Sequence, residues 1–196
     1  MGRVSARTGF ASAFLRATVA AALLYALTAC SNHPGDLKSL AHGAMAKLTV
    51  SAAPSAAPQT VFRDAAGAAH TLADFQGKVV VLNLWANWCA PCKEEIPSLA
   101  RLQKEFAGQP VAVVPVSIGK DRDEVLGKAF LARNPPLTFY TEPTANFPFA
   151  FKPPVEGMPT TVLFDRHGVE RARLSGGADW SGPEARAVIR ALLDQK

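Results

Sequence analysis

Two stretches of the chain are apolar at almost every position. Lys78 to Trp85 carries Val79, Val80, Val81, Leu82 and Leu84, with Asn83 as the one polar residue among them, and Val111 to Ile118 is similar. Short runs without polar alternation predict strands buried on both faces of a sheet. Between them the spacing changes. Ile96, Leu99, Leu102 and Phe106 recur every three or four residues, which predicts a helix over 91–106, kinked where Pro97 removes an N–H. A second amphipathic helix is expected over 121–133, with Val125, Ala129 and Phe130 on its apolar side. Short strands are expected over 137–140 and 160–164, with an irregular or briefly helical segment at 144–151 between them. A turn at Asp165 to Gly168 leads to a return strand over 169–174. The last helix is expected over 180–193, with Ser181 as N-cap and Pro183 in its first turn. Upstream, 60–63 and 70–71 are candidate short strands around a turn at Asp64 to Gly67. Leu72 to Phe75 fits a single helical turn closed by Gly77. Buried strands joined by helices, then an antiparallel hairpin and a helix, predict an α/β fold: a mixed central sheet with helices on both faces.

Apolar residues make up 48% of the 196 positions and charged residues 19%, enough apolar content for a packed domain. The apolar content is not evenly placed. Residues 1–29 have three arginines, no acid and a short apolar run from Ala17 to Ala26. That run is half the length a spanning helix needs, so it fits a secretory signal peptide. It ends in Leu27-Thr28-Ala29-Cys30, which resembles the bacterial lipobox. The resemblance implies cleavage before Cys30 and lipidation there, and more than one acyl chain anchors a protein firmly at a membrane. Cleavage lowers the net charge from +5 to +2. No basic run is interleaved with aromatics, so nucleic acid is not an expected partner. Residues 30–58, rich in Ala, Ser and Gly and ending in Ala-Ala-Pro-Ser-Ala-Ala-Pro, are expected to be a lipidated flexible tether, with 37–50 a candidate helical stretch. The folded domain is expected over 59–196.

The cysteines narrow the chemistry. Apart from Cys30 there are two, Cys89 and Cys92, with two residues between them. A cysteine zinc site needs a second pair or nearby histidines. His33 and His42 lie in the tail, and His70 and His167 stand alone. Residue 93 is Lys, so the haem-attachment string is absent. A disulfide closing so small a loop constrains little of the unfolded chain. Redox exchange remains. Cys89 falls between a buried strand and a helix, where unpaired N–H groups and the helix dipole favour a thiolate. Cys89 is therefore the expected exposed nucleophile and Cys92, a turn further on, the shielded resolving thiol. Pro91 stiffens the first turn. Trp88 forms an apolar wall beside Cys89.

The segment Asn83-Leu84-Trp85-Ala86-Asn87-Trp88-Cys89-Ala90-Pro91-Cys92-Lys93-Glu94-Glu95-Ile96-Pro97 resembles the TlpA/ResA-like branch of the thioredoxin superfamily. Gly157-Met158-Pro159-Thr160-Thr161, Phe75-Gln76-Gly77-Lys78 and Phe164-Asp165-Arg166-His167-Gly168 resemble further segments of that family, in the family's order. The resemblance implies a thioredoxin-like sheet and a cis bond before Pro159, with the Met158 backbone open to a substrate peptide. Where thioredoxins proper have a buried Asp, this chain has Asn83, which cannot exchange a proton. Glu95 lies three residues after Cys92, a helical turn away on the same face, and family members carry a Glu there. It is the expected proton shuttle for Cys92. Trp85 is expected in the core or the site wall, His167 in solvent, and Trp180 in a packing or capping role.

The resemblance also implies a reductase of disulfides in exported proteins, as in cytochrome c maturation or copper-site assembly. It would face the periplasm, take electrons from a membrane thiol-disulfide donor and need no bound cofactor beyond the Cys89–Cys92 pair. Two alternatives use the same residues. One is an oxidase that installs disulfides, disfavoured because Ala90-Pro91 supplies no cation beside Cys92. The other is a copper-binding lipoprotein with two soft ligands.

Overall fold

In a computed structural model of the chain, residue 2, residues 36–119 and residues 121–195 are described. The signal segment, the lipobox and Cys30 lie outside the described residues. Among the described residues no helix is long and apolar enough to cross a membrane.

The two apolar runs form the centre of the sheet. They are β4, Val79–Trp85, and β5, Val111–Ile118, and every residue of both is buried. They run parallel, with Val79 opposite Val111 and Trp85 opposite Ser117. Six shorter strands complete the sheet: β1 Leu48–Val50, β2 Phe62–Asp64, β3 Ala69–His70, β6 Tyr140–Glu142, β7 Thr160–Phe164 and β8 Glu170–Ser175. Their order is β1-β8-β7-β4-β5-β6-β2-β3. The sheet is mixed: β6 continues the parallel set beside β5, while β7 lies antiparallel to β4.

Among the described residues there are three α-helices: α1 Ala90–Glu105, α2 Asp121–Ala132 and α3 Pro183–Leu193. The crossovers β4–α1–β5 and β5–α2–β6 step the same way across the sheet. Right-handed connections then place both helices on one face. The buried clusters agree: Ile96, Leu99 and Leu102 of α1, Leu131 of α2 and Val188, Ile189 and Leu192 of α3 share one core with Val79, Val81 and Trp85. The opposite face packs Val80, Leu82 and Leu84 against Phe62, Leu72, Phe147 and Phe151. Two 3-10 helices, Leu72–Phe75 and Phe147–Ala150, supply its helical cover. The first is fixed by a capping box between Thr71 and Asp74, a device that satisfies otherwise unpaired N–H groups at a helix start. Gly127 lets α2 approach closely, since a Cβ there would lie 3.2 Å from the Phe139 ring and 3.5 Å from Trp85.

Residues 36–58 correct the expectation of a flexible tether. Strand β1 pairs antiparallel with β8, Leu48 opposite Leu174, and Ala56 bridges Val169. A 3-10 helix, Gly43–Met45, precedes β1 in place of the longer helix expected over 37–50. Leu37, Met45 and Leu48 are buried in the helix-side core. Few apolar residues suffice here because they cover a core that already exists and need not build one. Two smaller differences lie at element boundaries. Strand β6 begins at Tyr140, not at Leu137, and α3 begins at Pro183 with Gly182 as N-cap and no side-chain cap. Ser181 instead turns its hydroxyl to Asp179 Oδ1, 2.6 Å away.

Candidate active site

The site is built where β4 ends. A turn closes after Trp85, with the Cys89 N–H donating to Ala86 O at 3.1 Å. Cys89 is the N-cap of α1, in extended conformation, and its Sγ accepts from the Cys92 N–H at 3.3 Å. Pro91 sits in the first turn, where its missing N–H costs nothing. Cys89 and Cys92 are joined by a disulfide, with their Cα atoms 5.3 Å apart. The exposed nucleophile expected at Cys89 is more enclosed than that: Cys89 is 6% exposed and Cys92 0%. Solvent still reaches only the first of the two. Trp88 stands out beside it, 63% exposed.

Because β7 runs antiparallel to β4, with Thr160 opposite Leu84, the residues before β7 lie at the same end of the sheet as the cysteine turn. Pro159 is buried there and Met158 half-buried. The Met158–Pro159 bond is cis. Pro159 O accepts from the Gly176 N–H at 2.8 Å, and Gly176 has φ 88°, a left-handed conformation suited to glycine. Two further cis bonds, Pro135–Pro136 and Lys152–Pro153, were not foreseen from the sequence.

Beneath the cysteines lies a polar network inside the core. Glu95, on α1, is 3% exposed and Asn83, on β4, is 0% exposed. Asn83 Nδ2 donates to Glu95 Oε2 at 3.3 Å and to Thr161 Oγ1 at 3.0 Å. Thr161 is the register partner of Asn83 across β7. On the other side Trp180 Nε1 donates to Glu95 Oε1 at 2.5 Å. The Trp180 backbone N–H donates to Ser98 Oγ at 3.0 Å, and that hydroxyl donates to Glu95 O at 2.7 Å. Burial pushes the Glu95 carboxyl up to about 7, against the opposing hydrogen bonds from Trp180, Asn83 and the Ala178 backbone. A cavity of about 580 Å³ opens beside it, lined by Pro91, Glu94, Glu95, Ser98, Arg101 and Asp179 among others.

Sequence reasoning named Cys89, Cys92, Glu95, Trp88, Met158 and Pro159, and the fold brings all six to one end of the sheet or the helix turn beside it. It missed Trp180. A tryptophan before a helix signals only packing, and its indole partner lies 85 residues away in sequence. His167 is exposed. Among the described residues no three His, Cys, Asp or Glu side chains gather as a metal site.

A disulfide between an N-cap cysteine and the residue three further on, at the end of a central strand, defines a thioredoxin-fold redox protein. The family model described as Redoxin matches residues 52–189. The thiol-disulfide oxidoreductase ResA of Geobacillus thermodenitrificans is 32% identical over 128 residues, 65% of this chain and 72% of that protein. ResA of Bacillus subtilis is 43% identical over 68 residues, 35% of this chain and 38% of that one. A Chlorobium tepidum structure described as a thiol:disulfide interchange protein DsbE superposes with a TM-score of 0.61 at 28% identity, covering 70% of this chain and 95% of that one. The chain belongs to the redoxin family and, within it, to the ResA-like thiol-disulfide oxidoreductases.

Proposed function

We propose that the protein reduces disulfides in exported proteins, held by lipid on Cys30 at a membrane and facing the periplasm, with cytochrome c maturation or copper-site assembly as the setting. One observation supports the assignment of roles: Cys89 Sγ sits at the N-cap of α1 and accepts the Cys92 N–H, while Cys92 is fully enclosed, three residues before the buried Glu95 on the same helix. In the reduced protein the helix terminus stabilises a thiolate on Cys89. That thiolate attacks a client disulfide, forms a mixed disulfide and expels one client thiolate. Cys92 then loses its proton to Glu95 and attacks Cys89 Sγ. The Cys89–Cys92 disulfide forms and the second client thiolate leaves.

The client's extended chain is read by the Met158 backbone beside Pro159, with Trp88 as an apolar contact. Two electrons and two protons return the pair to the dithiol form, supplied by a membrane thiol-disulfide donor. The chemistry calls for no bound cofactor. The absence of a cation in Ala90-Pro91, and the carboxylate of Glu95 one helical turn after the buried sulfur, both work against a stable dithiolate. They favour electron flow towards the client.

Trapping tests this reading. In cells producing the full chain with Cys92→Ser, the mixed disulfide on Cys89 has no resolving thiol. The expected result is a set of exported, cysteine-containing proteins released from Cys89 by reductant and identified by mass. Adducts confined to small thiols, with Cys89→Ser as the blank, would contradict a protein-reducing role.

A further inference from the structure

Two side-chain donors of different kinds hold Glu95, with the Ala178 backbone N–H as a further donor. On one side is Trp180 Nε1, which can only donate. On the other is the Asn83 amide, which has a donor end and an acceptor end, and whose Oδ1 is buried without a partner. A protonated carboxyl has one carbonyl oxygen, the better acceptor, and one hydroxyl oxygen that must itself donate. These demands assign the two oxygens. Oε1, facing a group that can never accept, suits the carbonyl in both protonation states. Oε2 faces Asn83, which donates Nδ2 to a carboxylate and, turned over about its terminal bond, offers Oδ1 to a carboxylic acid.

We propose that Trp180 is a positioning residue for Glu95: its indole N–H holds Oε1 as a permanent acceptor and so makes Oε2, on the Asn83 side, the oxygen that gains and loses the proton. The buried orphan Oδ1 is then the acceptor for the protonated state, paired only when Glu95 carries its proton. This accounts for an amide at the position where thioredoxins proper have an acid, because an amide serves both states of its neighbour. The anchoring is double. The Trp180 backbone reaches Ser98 Oγ, and Ser98 reaches Glu95 O, so the segment before α3 is fastened to the turn of α1 that carries Glu95.

Few other charges bear on Glu95. Asn83 on β4 and Thr161 on β7 are neutral, and Cys92 is in the disulfide. Glu94, Arg101 and Asp179 share the cavity, and Arg101 and Asp179 face each other at 3.9 Å.

The proposal deepens the shuttle role given to Glu95 and rests on it. Its test uses the disulfide form, where neither cysteine titrates. The Glu95 carboxyl is followed by carbon-13 NMR against pH in the full chain and in Trp180→Phe, which keeps an aromatic ring and removes the donor. Loss of a donor to the carboxylate is expected to raise the Glu95 midpoint by about one pH unit. Mere loosening of the core admits water and moves the midpoint the other way, towards 4.5. An unchanged or lowered midpoint would therefore overturn the proposal. In the unsubstituted protein the Trp180 indole N–H is expected to stay protected from exchange on both sides of the midpoint. Loss of protection as Glu95 protonates would overturn it without any substitution. Failure of the shuttle shows elsewhere, as thiol kinetics unchanged in Glu95→Gln.

Discussion

Cys89→Ser is expected to abolish disulfide exchange, by roughly 10³-fold or more, while leaving the fold intact. The substitution removes the attacking sulfur and puts in its place a hydroxyl that is not ionised near neutral pH. The N-cap role survives, because serine is among the preferred N-cap residues and its oxygen can accept the Cys92 N–H as Cys89 Sγ does. The two cysteine variants should thus differ in kind. Cys92→Ser still forms the first mixed disulfide and stalls there, whereas Cys89→Ser forms none. Stopped-flow mixing of each reduced variant with a disulfide-bonded peptide, with the adduct counted by mass, makes the comparison. Equal adduct on the two variants would contradict the division of labour between the sulfurs.

Glu95→Gln has the second large effect, and it appears in stability as well as in rate. Burial raises the Glu95 carboxyl from 4.5 to about 7, so the folded chain binds this proton more tightly than the unfolded chain. The stabilisation is complete below about pH 4.5 and is lost as pH rises through about 7. At 1.36 kcal/mol per pH unit the span corresponds to about 3 kcal/mol. Urea unfolding of the disulfide form between pH 4.5 and 8.5 is expected to show this decline in the parent and a nearly flat profile in Glu95→Gln. The glutamine also cannot take the Cys92 proton. The resolving step should slow by about a hundredfold and lose its dependence on a group titrating near pH 7. A parallel decline in both proteins would show that Glu95 is not the group behind the pH dependence, and unaltered resolution kinetics would show that it does not take the Cys92 proton.

The parts of this molecule visible in the sequence are those set by short-range pattern. Val79 to Leu84 reads as a doubly buried strand because no polar residue but Asn83 interrupts it, and Cys89 follows directly at a helix start. The cysteine roles therefore follow from spacing and helix electrostatics. The resemblance to TlpA/ResA-like proteins, not periodicity, pointed to Pro159 and Glu95. Long-range pairing was not visible. Nothing near Trp180 signals that its indole meets Glu95, and nothing near Leu48 signals an eighth strand, since β1 is a strand only by virtue of its partner β8. Periodicity alone does not separate Glu95 from Glu94 beside it, whereas the fold buries the first to 3% exposure and leaves the second in solvent. Asn83 was read as unable to exchange a proton, which holds. Its part in accommodating a neighbour's proton became visible only with its two donor contacts and its orphan oxygen.

The direction of electron flow is the claim on which the proposed function turns, and the equilibrium reduction potential of the Cys89–Cys92 pair tests it most directly. The full chain is equilibrated in thiol-disulfide buffers at pH 7, and the dithiol fraction is counted after alkylation. A reducing pair is expected, with a potential at or below about −200 mV, in the range of glutaredoxins and thioredoxin. A value near about −120 mV, that of a strong disulfide-forming oxidant, would contradict it and make the protein an oxidase with the same two sulfurs.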